Sequence, residues 1–346
     1  MKVIISHTTA LRWYLRYDHD MDSRAKVSNQ ELDSACCPNA KQAACLLRYL
    51  GLDAGGLDVL VFAAAARRKA VGVLPHVAVH ELPQESFVYV GTPEEDLEVY
   101  MVIPELLFVQ LARGSSMARA IWLGTTFCAC YRYENGSGFG IVQRANRAHP
   151  LTNVTRLRSY CEKLPPQYFP RLIRHALPYV CERSRSPKET GLGMLYAMPV
   201  RYGGFQVGIV ELNKRISLVS ATGERVEREP DITIAAKGRD GRWRKVHLDY
   251  ESNAFHLSAQ KRNRDARRRN ELAVAGLTHF DITAEQAGDF NYLCALAERI
   301  RKLLKVRAVP RIVGDPNSPD NSNRIEKARH AQFELWHACV NQAVTF

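Results

Sequence analysis

Between Lys245 and Glu251, apolar and polar residues alternate without a break. Val246, Leu248 and Tyr250 fall on one face and His247, Asp249 and Glu251 on the other, as the period of two in a strand requires. Asp231–Ala236 alternates in the same sense, Ile232 and Ile234 against Asp231 and Thr233. If these two strands pair with matched faces, the carboxylates of Asp231, Asp249 and Glu251 gather on one side of a small sheet. Lys261–Asn270, which follows, reads as a helix with six cations and one acid. Carboxylates beside a cationic helix suit a hard metal ion and a phosphodiester. The same pattern equally suits a solvated strand face followed by a wet helix surface, with Asp265 and Arg269 paired at i and i+4.

Upstream, the pattern predicts a helix over Thr8–Tyr17, capped by Thr8, and a second ending at Leu50 before Gly51. Apolar-rich strands follow at Asp58–Phe62, His76–His80, Ser86–Val90 and Leu97–Val102. Helices return at Pro104–Ala112, with Pro104 in the first turn, and from Met117 to Tyr131. Glu134–Gly140 is glycine-rich but lacks the spacing and the lysine of a nucleotide-binding loop. Residues 151–183 read as two connecting helices. In Ser186-Pro-Lys-Glu189 the pattern is that of a capping box, which would turn Glu189 toward backbone amides. Gly203–Leu212 and Ile216–Val219 are expected to form a hairpin, Thr278–Thr283 a short strand, and Thr283-Ala-Glu-Gln286 the start of a helix running to Leu304. Asp315–Asn323 has the composition of a linker before a last helix, Arg324–Val340.

Composition narrows the function classes. The 346 residues suffice for two or three compact units, and 46% hydrophobic content argues against general disorder. No apolar run reaches the roughly 18–20 residues of a membrane span, and Met1–His7 is too short and polar for a signal peptide. Nine scattered cysteines without a Cys-x-x-Cys pair speak against a zinc site and for a reduced compartment, so the expectation is a cytoplasmic protein without membrane partners. Residues 1–150 hold 15 basic and 15 acidic residues; the remainder holds 33 of the 48 cations and 21 of the 36 acids. All of the +12 net charge therefore lies after residue 150, which implies a polyanion partner, DNA above all.

The string Glu229-Pro-Asp231-Ile, then Leu-Asp249-Tyr-Glu251 with His256 close behind, then Arg264-Asp265 and Arg268 on a helix ending at Gly276, resembles the PD-(D/E)XK restriction-endonuclease-like superfamily. The nearest branch holds the very-short-patch-repair endonucleases and their bacterial relatives. The resemblance covers roughly residues 184–306. It implies a helix, three strands, a helix and a further strand, in that order, with Asp231 and Asp249 binding Mg2+ or Mn2+. Glu251 stands where the family carries lysine, and could bind a second cation or act as base. His256 would polarise water or protonate the leaving oxygen, Glu189 would be an acid facing the site, and Lys261, Arg262, Arg264, Arg267 and Arg268 would contact DNA.

Met101–Leu111 with Cys130-Tyr131 is similar to the half of AbiEi-type antitoxin and regulator proteins that does not bind DNA. The expected fold is therefore α+β: an N-terminal α+β domain over 1–150, connecting helices over 151–183, a nuclease-like mixed sheet flanked by helices over 184–310, and a linker with a C-terminal helix over 311–346. Two functions follow from these resemblances. One is metal-dependent hydrolysis of DNA in defence or repair; the other is a non-enzymatic DNA-binding regulator on a degenerate nuclease fold, with a protein partner at the N-terminal domain or the C-terminal helix.

Overall fold

A computed structural model describes residues 1–52, 55–78, 81–134, 140–144, 150–165, 171–220, 223–251, 270–272, 274–307 and 318–341. The chain is α+β and divides into two compact units, Met1–Pro178 and Tyr179–Phe346. Among the described residues, no helix is long and apolar enough to cross a membrane.

The first unit contains strands β1 (Lys2–Ile5), β2 (Lys26–Val27), β3 (Leu57–Val61), β4 (Val73–Val77), β5 (Phe87–Glu94) and β6 (Leu97–Val102), in one mixed sheet of order β2-β5-β6-β1-β3-β4. Every residue of β3 is buried, Asp58 among its apolar neighbours included. Helices α1 (His7–Arg16), α2 (Ala40–Tyr49), α3 (Pro104–Ala112) and α4 (Met117–Phe127) follow the apolar pattern, but α4 stops four residues short of the expected Tyr131. There Tyr131–Tyr133 (β7) leaves to pair with Ile141–Gln143 (β8). The supposed connectors, α5 (Val154–Lys163) and α6 (Arg171–Ala176), pack on α3 and α4 inside this unit.

The start of α1 departs from expectation for a tertiary reason. Thr8 is not the cap. The Thr9 N–H and hydroxyl both donate to Asp58 Oδ2 on β3, at 3.0 and 3.1 Å, and Asp58 Oδ1 lies 2.8 Å from His76 Nε2 on β4. A carboxylate from 49 residues away satisfies the helix end, and His7 enters the helix with φ +45, stacked on His76 at 3.6 Å.

The second unit opens with α7 (Pro187–Ala197), followed by β9 (Ile209–Leu212), β10 (Ile216–Val219), β11 (Arg225–Arg228), β12 (Ile232–Lys237), β13 (Trp243–Glu251) and β14 (Thr278–Thr283). The expected hairpin of Gly203–Leu212 with Ile216–Val219 does not form. Instead β9 joins a four-stranded sheet of order β14-β13-β12-β9, and β10 pairs with β11. The strand is shorter than expected because the amides of Phe205, Gln206 and Val207 donate to the carbonyls of Leu195, Met198 and Tyr196 instead of to a neighbouring strand. Asn213, at φ +47, then turns the chain away after β9.

Helix α7 is buried from Glu189 to Ala197, packed on β9 and β12 and against His337–Asn341, where Gly191 admits the Cys339 carbonyl. The helix expected to run from Thr283 to Leu304 is broken into α8 (Ala284–Ala287) and α9 (Phe290–Leu304), because Asp289 accepts from the Asn291 and Tyr292 amides as a new N-cap. The last helix, α10 (Pro319–Trp336), begins inside the supposed linker. Ser318 caps it and Pro319 occupies its first turn, a start signal that linker-like composition masks. It docks back on its own unit, with Trp336 Nε1 donating to the Ala287 carbonyl and Gln332 Nε2 to that of Gly204.

Candidate metal centre

The four-stranded sheet has one polar face, and its register explains why. Antiparallel pairing sets Ile232 opposite Leu248 and Thr233 opposite His247, so Asp231, one residue ahead of β12, stands across from Asp249. Parallel pairing sets His279 beside His247, Asp281 beside Asp249 and Thr283 beside Glu251. Paired residues point to one side of a sheet. Ile232, Ile234, Val246, Leu248 and Ile282 therefore form the buried apolar face, while Thr233, His247, Asp249, Glu251, His279 and Asp281 share the other. The strand matching that would bring Asp231 and Asp249 to one side is the one that occurs.

Asp231 and Asp249 meet through backbone amides. The Asp231 N–H donates to Asp249 Oδ1 at 2.9 Å, and the Tyr250 N–H donates to Asp231 Oδ2 at 2.7 Å. Each carboxylate thus extends the β12–β13 ladder at its open end. Asp249 Oδ2 lies 2.8 Å from His279 Nε2, and His279 Nδ1 lies 3.7 Å from Asp281 Oδ1. Ligand atoms of Asp249, His279 and Asp281 all fall within 4.8 Å of one another, the cluster among the described residues able to hold a metal ion. Neither Asp231 nor Glu251 belongs to it. Asp249 and His279 side chains are under 10% exposed and Asp281 is at 24%, which leaves the group open on one side.

Its surroundings are polar and tightly held. His247 is buried beside the cluster with Nδ1 3.0 Å from Thr233 Oγ1, and burial, with His279 and Lys245 adding, lowers its pKa to about 4. It is neutral at pH 7 and adds no positive charge to the site. Glu189 accepts from the Arg185 N–H at 2.8 Å, from Asn213 Nδ2 at 2.7 Å and from Ser186 Oγ at 3.0 Å, while Ser186 caps the helix through the Glu189 N–H. The backbone role foreseen for Glu189 is realised one residue earlier than a capping box would place it. Burial pushes its carboxyl up in pKa against these bonds. Asn213, fully buried, also donates Nδ2 to the Arg183 carbonyl and its N–H to the Asp231 carbonyl, so it ties α7 to the start of β12.

His256 and the basic positions Lys261, Arg262, Arg264, Arg267 and Arg268, with Asp265 and Arg269, lie outside the described residues. The residues that sequence reasoning missed are His279, Asp281 and Asn213. The first two carried a usable signal: Thr278-His-Phe-Asp alternates as Lys245–Glu251 does, and a parallel neighbour at matched faces adds both to the polar side. Asn213 carried none, since a lone asparagine between two strand segments reads as a turn.

The donor set is two carboxylates and an imidazole. Mg2+ favours oxygen alone, whereas a mixed nitrogen and oxygen set fits a divalent transition ion such as Mn2+ better. No protein-family model, curated protein or solved structure matches the chain.

Proposed function

We propose that the second unit is a metal-dependent endonuclease acting on DNA phosphodiester bonds. The observation that carries this reading is the convergence of Asp249, His279 and Asp281 on the polar face of a mixed sheet. Asp249, His279 and Asp281 would hold the ion, Mn2+ in preference to Mg2+. When bound, such an ion supplies charge stabilisation at the phosphodiester and a water of lowered pKa. The chain's own residues orient the site. The Asp231 amide fixes one oxygen of Asp249 and leaves the other toward His279. Glu251 follows on the same face, where its carboxylate would accept a proton from water, and cations of the basic segment would hold phosphates.

The test replaces Asp249 and Asp281 singly by Asn, which at position 249 keeps an oxygen for the Asp231 amide. Both variants should lose Mn2+-dependent cleavage of supercoiled plasmid and retain most of their DNA affinity. Cleavage undiminished in both would sink the assignment.

A second reading, a DNA-binding regulator on a degenerate nuclease fold, is favoured by one specific feature. Asp231 Oδ2 and Asp249 Oδ1 both accept from backbone amides, and Glu251 stands apart from the cluster. The weaker AbiEi-type resemblance of the first unit points the same way. DNA binding by the wild-type protein without cleavage of linear, supercoiled, mismatched or single-stranded DNA, with either metal, would make this the better description.

A further inference from the structure

Beside the metal centre, three guanidinium groups converge on one carboxylate. Arg183 Nη2 lies 3.4 Å and Arg215 Nε 2.8 Å from Glu229 Oε1, while Arg185 Nη2 bonds Oε2. Burial pushes the Glu229 carboxyl up, and the bonds from Arg185 and Arg215 more than reverse it, so Glu229 is ionised at neutral pH. Glu227 also acts on Arg215 and Glu189 on Arg185, and three planar forks offer more N–H donors than the one carboxylate they share accepts. Arg183 and Arg215 keep 48% and 66% of their side chains exposed. Their outward N–H groups are within reach of an anion from solvent.

The group is placed by the same residues that build the site. Glu229 is two residues ahead of Asp231, whose amide binds Asp249. Asn213 Nδ2 holds the Arg183 carbonyl, and the Arg185 amide holds Glu189. Arg215 leads into β10, immediately after the turn at Asn213. The three arginines therefore stand at the Asp249 end of the sheet. The other end is the turn between β12 and β13, with the exposed Arg239 and Arg242, about 20 Å away along the strands.

We infer that Arg183, Arg185 and Arg215 form a phosphate clamp that holds the backbone of duplex DNA next to the metal centre. Glu229 keeps the three side chains splayed and aligned in the absence of DNA. The inference rests on the reading of this unit as one that acts on DNA, and it names contact residues other than those of the basic sequence 261–268. Bidentate forks favour phosphate oxygens over a point charge, and contacts of this kind set position on the duplex without reading sequence.

Fluorescence anisotropy of the full-length protein on a labelled duplex of about 20 base pairs, in EDTA, tests the clamp without any cleavage. Affinity would be followed from about 50 to about 200 mM salt. The double variant Arg183→Gln, Arg215→Gln should bind more weakly and lose about two units of slope in log K against log salt, one per phosphate contact. The double variant Arg239→Gln, Arg242→Gln makes the same charge change at the far end of the sheet and should bind as the wild type does. Glu229→Gln, which removes the competing anion and keeps all three arginines, should tighten binding. Equal losses in the two double variants, or none in the first, would overturn the clamp. The nuclease reading fails separately. Cleavage lost in Asp249→Asn with unchanged anisotropy in the arginine variants removes the clamp alone, and arginine-dependent binding in a protein that never cuts removes the nuclease alone.

Discussion

Each unit carries an aspartate–histidine pair on two neighbouring parallel strands, and the two pairs do different things. In the first unit Asp58 Oδ1 lies 2.8 Å from His76 Nε2; in the second Asp249 Oδ2 lies 2.8 Å from His279 Nε2. In both, the histidine sits two positions along the strand from the residue that the register sets beside the aspartate. That register partner is Leu74 for Asp58 and Asp281 for Asp249. The remaining oxygen of Asp58 takes the Thr9 amide and hydroxyl at the start of α1, so the first pair is a helix cap with a histidine brace. Burial pushes the Asp58 carboxyl up, and its bonds to His76 and Thr9 bring it below the usual carboxylate value. Asp249 has a second carboxylate on the far side of its histidine. Two carboxylates bracketing an imidazole repel each other unless a cation or a proton lies among them. An aspartate–histidine pair is therefore architecture by itself, and the residue at the register position turns it into a metal-competent group.

The contrast is broken most severely at Asp58. Asp58→Ala strands a buried amide and the His76 ring, and should cost the first unit about 2–4 kcal/mol, read as a lower urea midpoint at constant slope. Mn2+ binding by calorimetry should be unchanged in that variant if the two pairs have separate roles. Asp281→Asn should do the reverse. Its carboxylate is partly exposed, so stability should move by less than about 0.5 kcal/mol, while Mn2+ affinity falls by more than the roughly 10–100-fold that loss of a supporting partner produces. Retained Mn2+ affinity would reduce the second pair to the status of the first.

A smaller effect appears in acid, where the first unit holds two depressed histidines, His7 and His19, against His247 in the second. Burial lowers the pKa of His7 to about 4 and that of His19, stacked on Trp13, to about 3. Both lie below the ordinary histidine value near 6.5, so the unfolded chain takes up protons first. Their contribution is present in full above pH 6.5 and is lost as pH falls toward 4 and then 3. The melting temperature of the first unit should decline over that window, and His19→Gln should flatten the decline. Smallest of all is Glu251→Gln. Glu251 lies on the polar face but outside the cluster, so Mn2+ affinity should stay within about threefold, under 0.7 kcal/mol; a larger loss would add Glu251 to the ligands and sharpen the difference from Asp58.

Much of the second unit was legible because a period of two is a local property. The alternation of Asp231–Ala236 and Lys245–Glu251 predicts two strands and their polar face, and both form with the matched register. The start signal Ser318-Pro319 was present in the sequence as well, but linker-like composition concealed it. The hairpin of β9 with β10 did not form because the chain turns away at Asn213, and β9 pairs with β12 while β10 pairs with β11.

The sequence by itself determined which side chains can share a face: Asp249 with His247 and Glu251 on one strand, His279 with Asp281 on another, since residues two apart in a strand always do. It also determined where positive charge collects, because composition does not depend on folding. Only the tertiary structure decided which strands are neighbours and in what register. That choice put Asp281 rather than a leucine beside Asp249, turned the Asp231 amide to one of its oxygens, and made Asp58 the cap of a helix 49 residues away. Register is set by packing the apolar faces together over long sequence separations, and a shift of one residue would move every one of these groups to the opposite side.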